Sequence, residues 1–257
     1  MISQPRIGRA PGRAAVAWTL MGAAGAWLLL SGLPLSPLRS SLHRHGLGQG
    51  GDQLAFLGAW LLMVGAMMLP ASLDFVRALH RLVSRHSHSG LLLAAGIGGF
   101  GLVWLVVGQL FQVGDLGVHK VVAAWPWLDQ RRHLITAGAL GLAGIYQLSP
   151  PKRRCLSMCR SPAGFVARGW HGVYPTREVM RIGTAYGASC AGCCWALMLV
   201  MFASGLASLW LMAMLTAVMV AERRVHGIDP FAPAVAAAFI LTAALVATRA
   251  LPGFLGT

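Results

Sequence analysis

The sequence predicts an all-α protein, a polytopic bundle of transmembrane helices, and three observations carry that prediction. Hydrophobic residues make up 56% of the 257-residue chain and charged ones only 11%, where a soluble domain carries about a quarter charged. The mean hydropathy is +0.66. The apolar residues also gather in runs close to the roughly 20 that a helix needs to cross a bilayer.

Residues 14–33 form the first run, preceded by Arg6, Arg9 and Arg13. It is long for a signal peptide and no small-x-small cleavage site follows, so a retained helix is expected. Residues 54–76 give a second span with Pro70 near its end, 91–113 a third and 133–148 a shorter fourth. From Arg181 an apolar stretch then runs to Ala221. As one helix these about 40 residues would extend roughly 60 Å, twice the hydrocarbon thickness of a membrane. A fold-back near Ser204 and Gly205 is therefore expected, with spans at 182–203 and 206–221. Residues 231–251 supply the seventh. Six spans follow instead if the fold-back is absent or the first segment is removed. The chain is read as a single membrane domain over 1–257.

Charge orients the bundle. There are 21 Lys and Arg against 7 Asp and Glu, a net charge of +14. In a soluble chain that excess would point to nucleic acid. With seven spans and a cytoplasmic N-terminus, 15 of the 21 cations fall in inner segments and 6 in outer ones. That is the positive-inside distribution, and it explains the basicity with no nucleic acid as partner. The largest inner segment, 149–181, holds Lys152, Arg153, Arg154, Arg160, Arg168, Arg177 and Arg181 with Trp170 and Tyr174 among them. It reads as a basic cytoplasmic loop docked on the headgroups of the lipid bilayer.

Several membrane chemistries lack their residues. Lys120 and Lys152 both fall in loops, which leaves no mid-membrane lysine for a retinal Schiff base, and the nine histidines fall in loops or at helix ends, away from a transmembrane haem. Asp74 and Glu222 lie near the inner ends of their helices, not in mid-membrane where ion-coupled transport places its acids. No phosphate loop, nucleophile elbow or carboxylate pair is present. No enzyme activity is expected.

What the spans do contain is sulfur. Cys155 and Cys159 stand in KRRCLSMCR, and Cys190, Cys193 and Cys194 in CAGCCW. Cys190 and Cys194 share a helix face with Cys193 beside them, and Met198 extends the row. The second span adds Met63, Met67 and Met68 in MVGAMMLP. Met67 and Met63 lie about 9 and 13 residues from the inner end of their span, and Cys190 and Cys194 about 8 and 12 from theirs, so the two sets match in depth. The expected metal ligands are Cys155, Cys159, Cys190, Cys193, Cys194, Met63, Met67, Met68 and Met198. Thiolate with thioether suits Cu(I); zinc, which takes four Cys or His ligands, is the alternative. The pairs His43/His45 and His86/His88 are a weaker signal of the same kind.

MMLP in the second span, YQLSPPKRRCLSMCRSP after the fourth, and CAGCCWALMLVMFASG with a following helix ending VAER resemble a bacterial family. It is the family of predicted metal-binding integral membrane proteins, also labelled copper chaperones. The resemblance covers roughly residues 54–222, and its motif positions fall on Met67, Met68, Pro70, Cys155, Cys159, Cys190, Cys193, Cys194 and Glu222. It implies a multi-pass protein of the bacterial inner membrane that handles metal.

Three functions compete at this point. The first is a Cu(I)-binding protein that passes copper to a cuproprotein or takes it from a metallochaperone, by ligand exchange along the sulfurs. The second is a thiol–disulfide membrane oxidoreductase, although the topology puts every cysteine on the reducing side. The third is a structural subunit in which sulfur only packs.

Overall fold

The apolar runs become helices: among the residues described by the computed structural model (24, 25, 27, 50–204, 209–224 and 231–248) there are ten numbered helices and no strand. They are α1 (Gly50–Ala71), α2 (Leu73–Val83), α3 (Ser89–Ala124), α4 (Pro126–Asp129), α5 (His133–Gln147), α6 (Pro150–Arg160), α7 (Pro162–Gly169), α8 (Pro175–Ala203), α9 (Leu209–Arg224) and α10 (Phe231–Ala247). Proline opens α4, α6, α7 and α8. Its fixed φ suits a first turn, where no amide partner is needed.

Pro70 shapes the end of α1. Without an N–H it leaves the carbonyl of Ala66 unsatisfied in the helix, and the Trp27 indole donates to that oxygen at 3.1 Å. The chain then turns through 80° at Ser72 into α2. That helix is amphipathic, burying Leu73, Phe75, Val76, Leu79 and Val83 while exposing Asp74 and Arg81.

α8 is the central helix. It buries Val179, Ile182, Tyr186, Cys190, Leu197, Met198 and Met201, and it runs parallel to α3 at a distance that side chains would prevent. A Cβ on Gly183 would collide with the Gly96 carbonyl, and one on Gly99 would lie 2.5 Å from the Met180 oxygen. Small residues at such a crossing let two backbones meet. α1 lies antiparallel to α3, with the Trp60 indole donating to the Trp104 carbonyl at 2.6 Å and Gln53 bonded to Gln109 and Gln112 near the opposite end. α5 is antiparallel to α8, joined by Thr136 to Ala203 and by Tyr146 to Gly192. α10 packs antiparallel on α5, where a Cβ on Gly144 would meet the Ala236 carbonyl at 3.0 Å.

The outer faces are apolar. Leu102, Val106, Leu110 and Val113 of α3 and Leu241 of α10 are exposed. α3 and α8 are each long and apolar enough to cross a membrane, and the bent pair α1–α2 gives a third if counted as one span.

Several expectations change in detail. The expected span 54–76 ends at the bend, so Met67 and Met68 lie within about a turn of it rather than deep in the helix. The expected spans 133–148, 206–221 and 231–251 correspond to helices of 15, 16 and 17 described residues, shorter than the roughly 20 that cross a bilayer untilted. At the expected fold-back near Ser204 and Gly205, α8 ends at Ala203 and the described residues resume with α9 from Leu209; 205–208 lie outside the described residues. The span at 14–33 lies outside the described residues except for 24, 25 and 27, which are helical. The inner segment 149–181 is not an open loop. It folds into α6 and α7, packed on α8 and α2, because Leu156, Cys159, Pro162 and Val166 give these short helices buried faces. Lys120 is exposed near the end of α3, and Lys152 is buried in α6, so neither lies in a loop.

Candidate metal centre

The C-terminal ends of α1, α5 and α9 gather at one end of the bundle, and α6 lies across them. A helix C-terminus carries unpaired carbonyls and partial negative charge, which cations satisfy. Three arginines do so here. Arg223 donates to the Ala71 oxygen at 2.7 Å, Arg160 to the Glu222 oxygen at 2.7 and 2.9 Å, and Arg153 to the Leu148 oxygen at 2.8 Å.

A buried polar knot ties α6 to this end. Lys152 Nζ lies 2.9 Å from both carboxylate oxygens of Glu222 and also donates to Gln147 Oε1, while Gln147 Nε2 donates to Glu222 at 2.6 Å. Lys152 and Glu222 are 2% and 4% exposed. Such a pair persists in an apolar interior only because each charge is matched.

Held in this way, α6 presents Cys155 and Cys159, one turn apart, to α8. The Cys155 sulfur fills the notch left by Gly192, where a Cβ would sit 2.7 Å from it. Cys159 Sγ lies 4.0 Å from Cys193 Sγ. The Cys159 thiol is held protonated well above its usual range, first by this hydrogen bond and then by burial; burial likewise raises Cys155. Met158 accepts a hydrogen bond from Ser189 at 3.6 Å.

Beside Cys193 on α8, Cys190 and Cys194 carry the second group. Cys190 Sγ and Cys194 Sγ each lie 4.0 Å from Met68 Sδ. Arg223 adds Nη2 at 2.9 Å from Cys190 Sγ, with Ser72 Oγ 3.1 Å from its Nη1. All these residues are buried, and all five cysteines are free thiols.

Of the nine expected ligands, six are thus brought together: Cys155, Cys159 and Cys193 at the α6–α8 contact, and Cys190, Cys194 and Met68 at the α1–α8 contact. Met63, Met67 and Met198 are buried in the same core, but the thioether that meets the cysteines belongs to Met68. Among the described residues no group of three or more His, Cys, Asp or Glu side chains could hold a metal ion, so the second group closes only by counting methionine. The pair His43/His45 lies outside the described residues; His86 packs edge-on against Trp170 at 5.4 Å, and His88 is exposed beside Ser87. Sequence reasoning missed Arg223 as a neighbour of the sulfurs and Lys152 as an internal group. Nothing in local spacing points to either, since both depend on which helix ends converge.

At the start of α8, the Glu178 carboxylate collects the N–H groups of His171, Gly172, Val173 and Tyr174 at 2.7 to 3.2 Å. Gly172 supplies the positive φ of 79° that this turn needs. The His171 N–H is the largest cause, with the other three, of a carboxyl lowered from 4.5 to about 2.

Fold and site together define an all-α protein with a buried sulfur centre at the convergence of helix ends. The chain belongs to the PpoB2 copper chaperone family, which matches residues 57–246. That range takes in every candidate sulfur ligand described above. Neither a curated protein nor a solved structure matches the chain.

Proposed function

We propose that the protein is a non-enzymatic integral membrane copper handler that binds Cu(I) between α1 and α8 and passes it to a copper protein. The observation that carries this reading is the triangle Met68, Cys190 and Cys194. Three sulfurs bonded to one ion at about 2.3 Å, and set at the corners of a triangle, stand about 4.0 Å apart. Met68 Sδ stands 4.0 Å from each thiol, and the two thiols are successive turns of one helix face. A thioether in the third position suits Cu(I) and not zinc. Cu(I) with two thiolates carries a single net negative charge, which the buried guanidinium of Arg223 cancels. Cys159 and Cys193 form a second sulfur pair, and exchange of ligands between the two groups moves the ion without any covalent chemistry.

Membrane placement in the bacterial inner membrane is supported by the apolar outer faces of α3 and α10, which water would not tolerate as a continuous surface. Exposed Trp125 and Trp127 at the far end of α3 suit one interface. The amphipathic α2, turned 80° from α1, suits the other. The alternation of helix directions among the described residues is compatible with the expected topology of about seven spans with the sulfurs toward the inner side.

The test is metal analysis of the reduced, purified protein. Copper bound by wild type and lost in the Cys190→Ser/Cys194→Ser variant is the expected result. Zinc in place of copper, or equal copper in wild type and variant, rejects the reading.

A further inference from the structure

Four of the five cysteines are buried and Cys155 is half-buried, and a cavity reaches the buried Cys159. This cavity of about 70 Å³ opens beside α6, bounded by Cys159 and Tyr186 on its inner wall and by Asp74, Arg160, Arg223 and Arg224 around it. By the same measure a water needs about 10–15 Å³, so the space holds a handful of waters, or the sulfur-bound end of a small ligand. It is too small for a folded domain. Its charge is lopsided. Three arginines and one carboxylate residue line it, and that carboxylate is already bonded to Arg77 at 2.7 Å.

This lining is unsuited to a bare copper cation, which three nearby positive charges repel. The same charges attract an anion into a narrow, low-dielectric space. Copper inside a reducing compartment travels bound to thiolates, and Cu(I) with two thiolate ligands is an anion before any charge on the rest of the carrier is counted. We propose that this cavity admits the copper-bearing end of an anionic Cu(I)–bis(thiolate) complex of a small thiol, the rest of the carrier staying outside, and that Cys159 with Cys193 behind it is the first sulfur pair to receive the ion. The proposal rests on the copper reading above and adds to it the chemical form of the substrate and its point of admission.

The exchange balances without a redox step. Two copper–sulfur bonds to the carrier break and two form, to Cys159 and Cys193. The protons given up by the two cysteine thiols pass to the two departing carrier thiolates, which leave as neutral thiols. Copper stays Cu(I) throughout, and the negative charge of the complex stays beside Arg160 and Arg223. From Cys193 the sulfurs of Cys190 and Cys194 lie within one turn of the same helix.

The experiment compares loading rates of the full-length reduced protein from two donors that share thiolate ligation and differ in charge. These are the Cu(I) complex of glutathione, an anion, and the Cu(I) complex of cysteamine, whose ammonium groups make it a cation. Wild type is expected to load about tenfold faster or more from the glutathione complex at low salt, with the gap closing as ionic strength rises. Exposed Arg224 stands at the rim. Arg224→Glu abolishes the preference, Arg224→Lys retains it, and Lys120→Glu at the far end of α3 leaves it intact. Equal rates from the two donors, or equal effects of Arg224→Glu and Lys120→Glu, overturn the proposal while leaving the copper site standing. Failure of wild type to retain copper from either donor rejects the copper site itself.

Discussion

Arg223 holds Cys190: its Nη2 lies 2.9 Å from the cysteine sulfur, while Nη1 is bonded to the last carbonyl of α1. One planar fork therefore serves a helix end and a candidate ligand together. Replacement by Met leaves the Ala71 oxygen and Ser72 hydroxyl buried without their donor, a loss of about 3 kcal/mol by analogy with broken buried pairs. Arg223→Lys keeps the charge but cannot reach all three acceptors at once. Thermal unfolding in detergent is expected to rank wild type above Lys and Lys above Met, with copper affinity falling in the same order.

Met68 and Met67 are adjacent and equally buried, but only Met68 meets the cysteines. Met→Leu conserves volume and costs less than about 1.5 kcal/mol of stability. Met68→Leu is expected to weaken Cu(I) binding about tenfold or more, equivalent to about 1.4 kcal/mol, while Met67→Leu leaves it unchanged. Competition with a Cu(I) chelator measures both, and equal effects would remove Met68 from the site.

Lys152 and Glu222 form the buried ion pair. Removing one partner, as in Lys152→Met, strands the other charge and costs about 3–5 kcal/mol. Lys152→Met with Glu222→Gln is expected to recover much of that loss, because no charge is then left unmatched. A double-mutant cycle on unfolding free energy checks the coupling.

Gly183→Ala drives a Cβ into the Gly96 carbonyl, with backbone on both sides unable to yield. Overpacking of this kind costs about 1–3 kcal/mol or more. Gly98→Ala, on the open side of α3 with nothing within 4 Å, is expected to be tolerated. Yield and unfolding temperature of the two variants give the comparison.

The Glu178 turn has a definite pH window. Its folded carboxyl is lowered from 4.5 to about 2, so its contribution is fully present above about pH 4.5 and fades as pH falls through about 2. Hydrogen exchange at Gly172 and Tyr174 is expected to stay protected at pH 5 and to lose protection across that window. Glu178→Gln should show the exposed pattern at pH 7.

Composition and run length made the helices legible, because long apolar runs satisfy their own backbone groups most simply as helices. The cysteine spacing made Cys190, Cys193 and Cys194 legible as neighbours, since a helix period settles which residues share a face. Less was legible where an element's partners lie far away in the chain. Residues 149–181 look like a basic loop docked on lipid headgroups because Lys152, Arg153 and Arg160 are charged, yet each finds a carbonyl or carboxylate at a helix end. The choice of Met68 over Met67 depends on the rotation of α1 above Ser72, which depth alone does not determine.

Glu222 is gripped twice by α6, through its side chain by Lys152 and through its backbone oxygen by Arg160. These two anchors stand eight residues apart, about 12 Å along the helix. A rod pinned at two separated points to a single residue can neither slide past it nor roll about its own axis. The register of Cys159 against Cys193 is thus inherited from Glu222 through the two anchors on α6, so a residue with no sulfur of its own sets how two sulfurs meet.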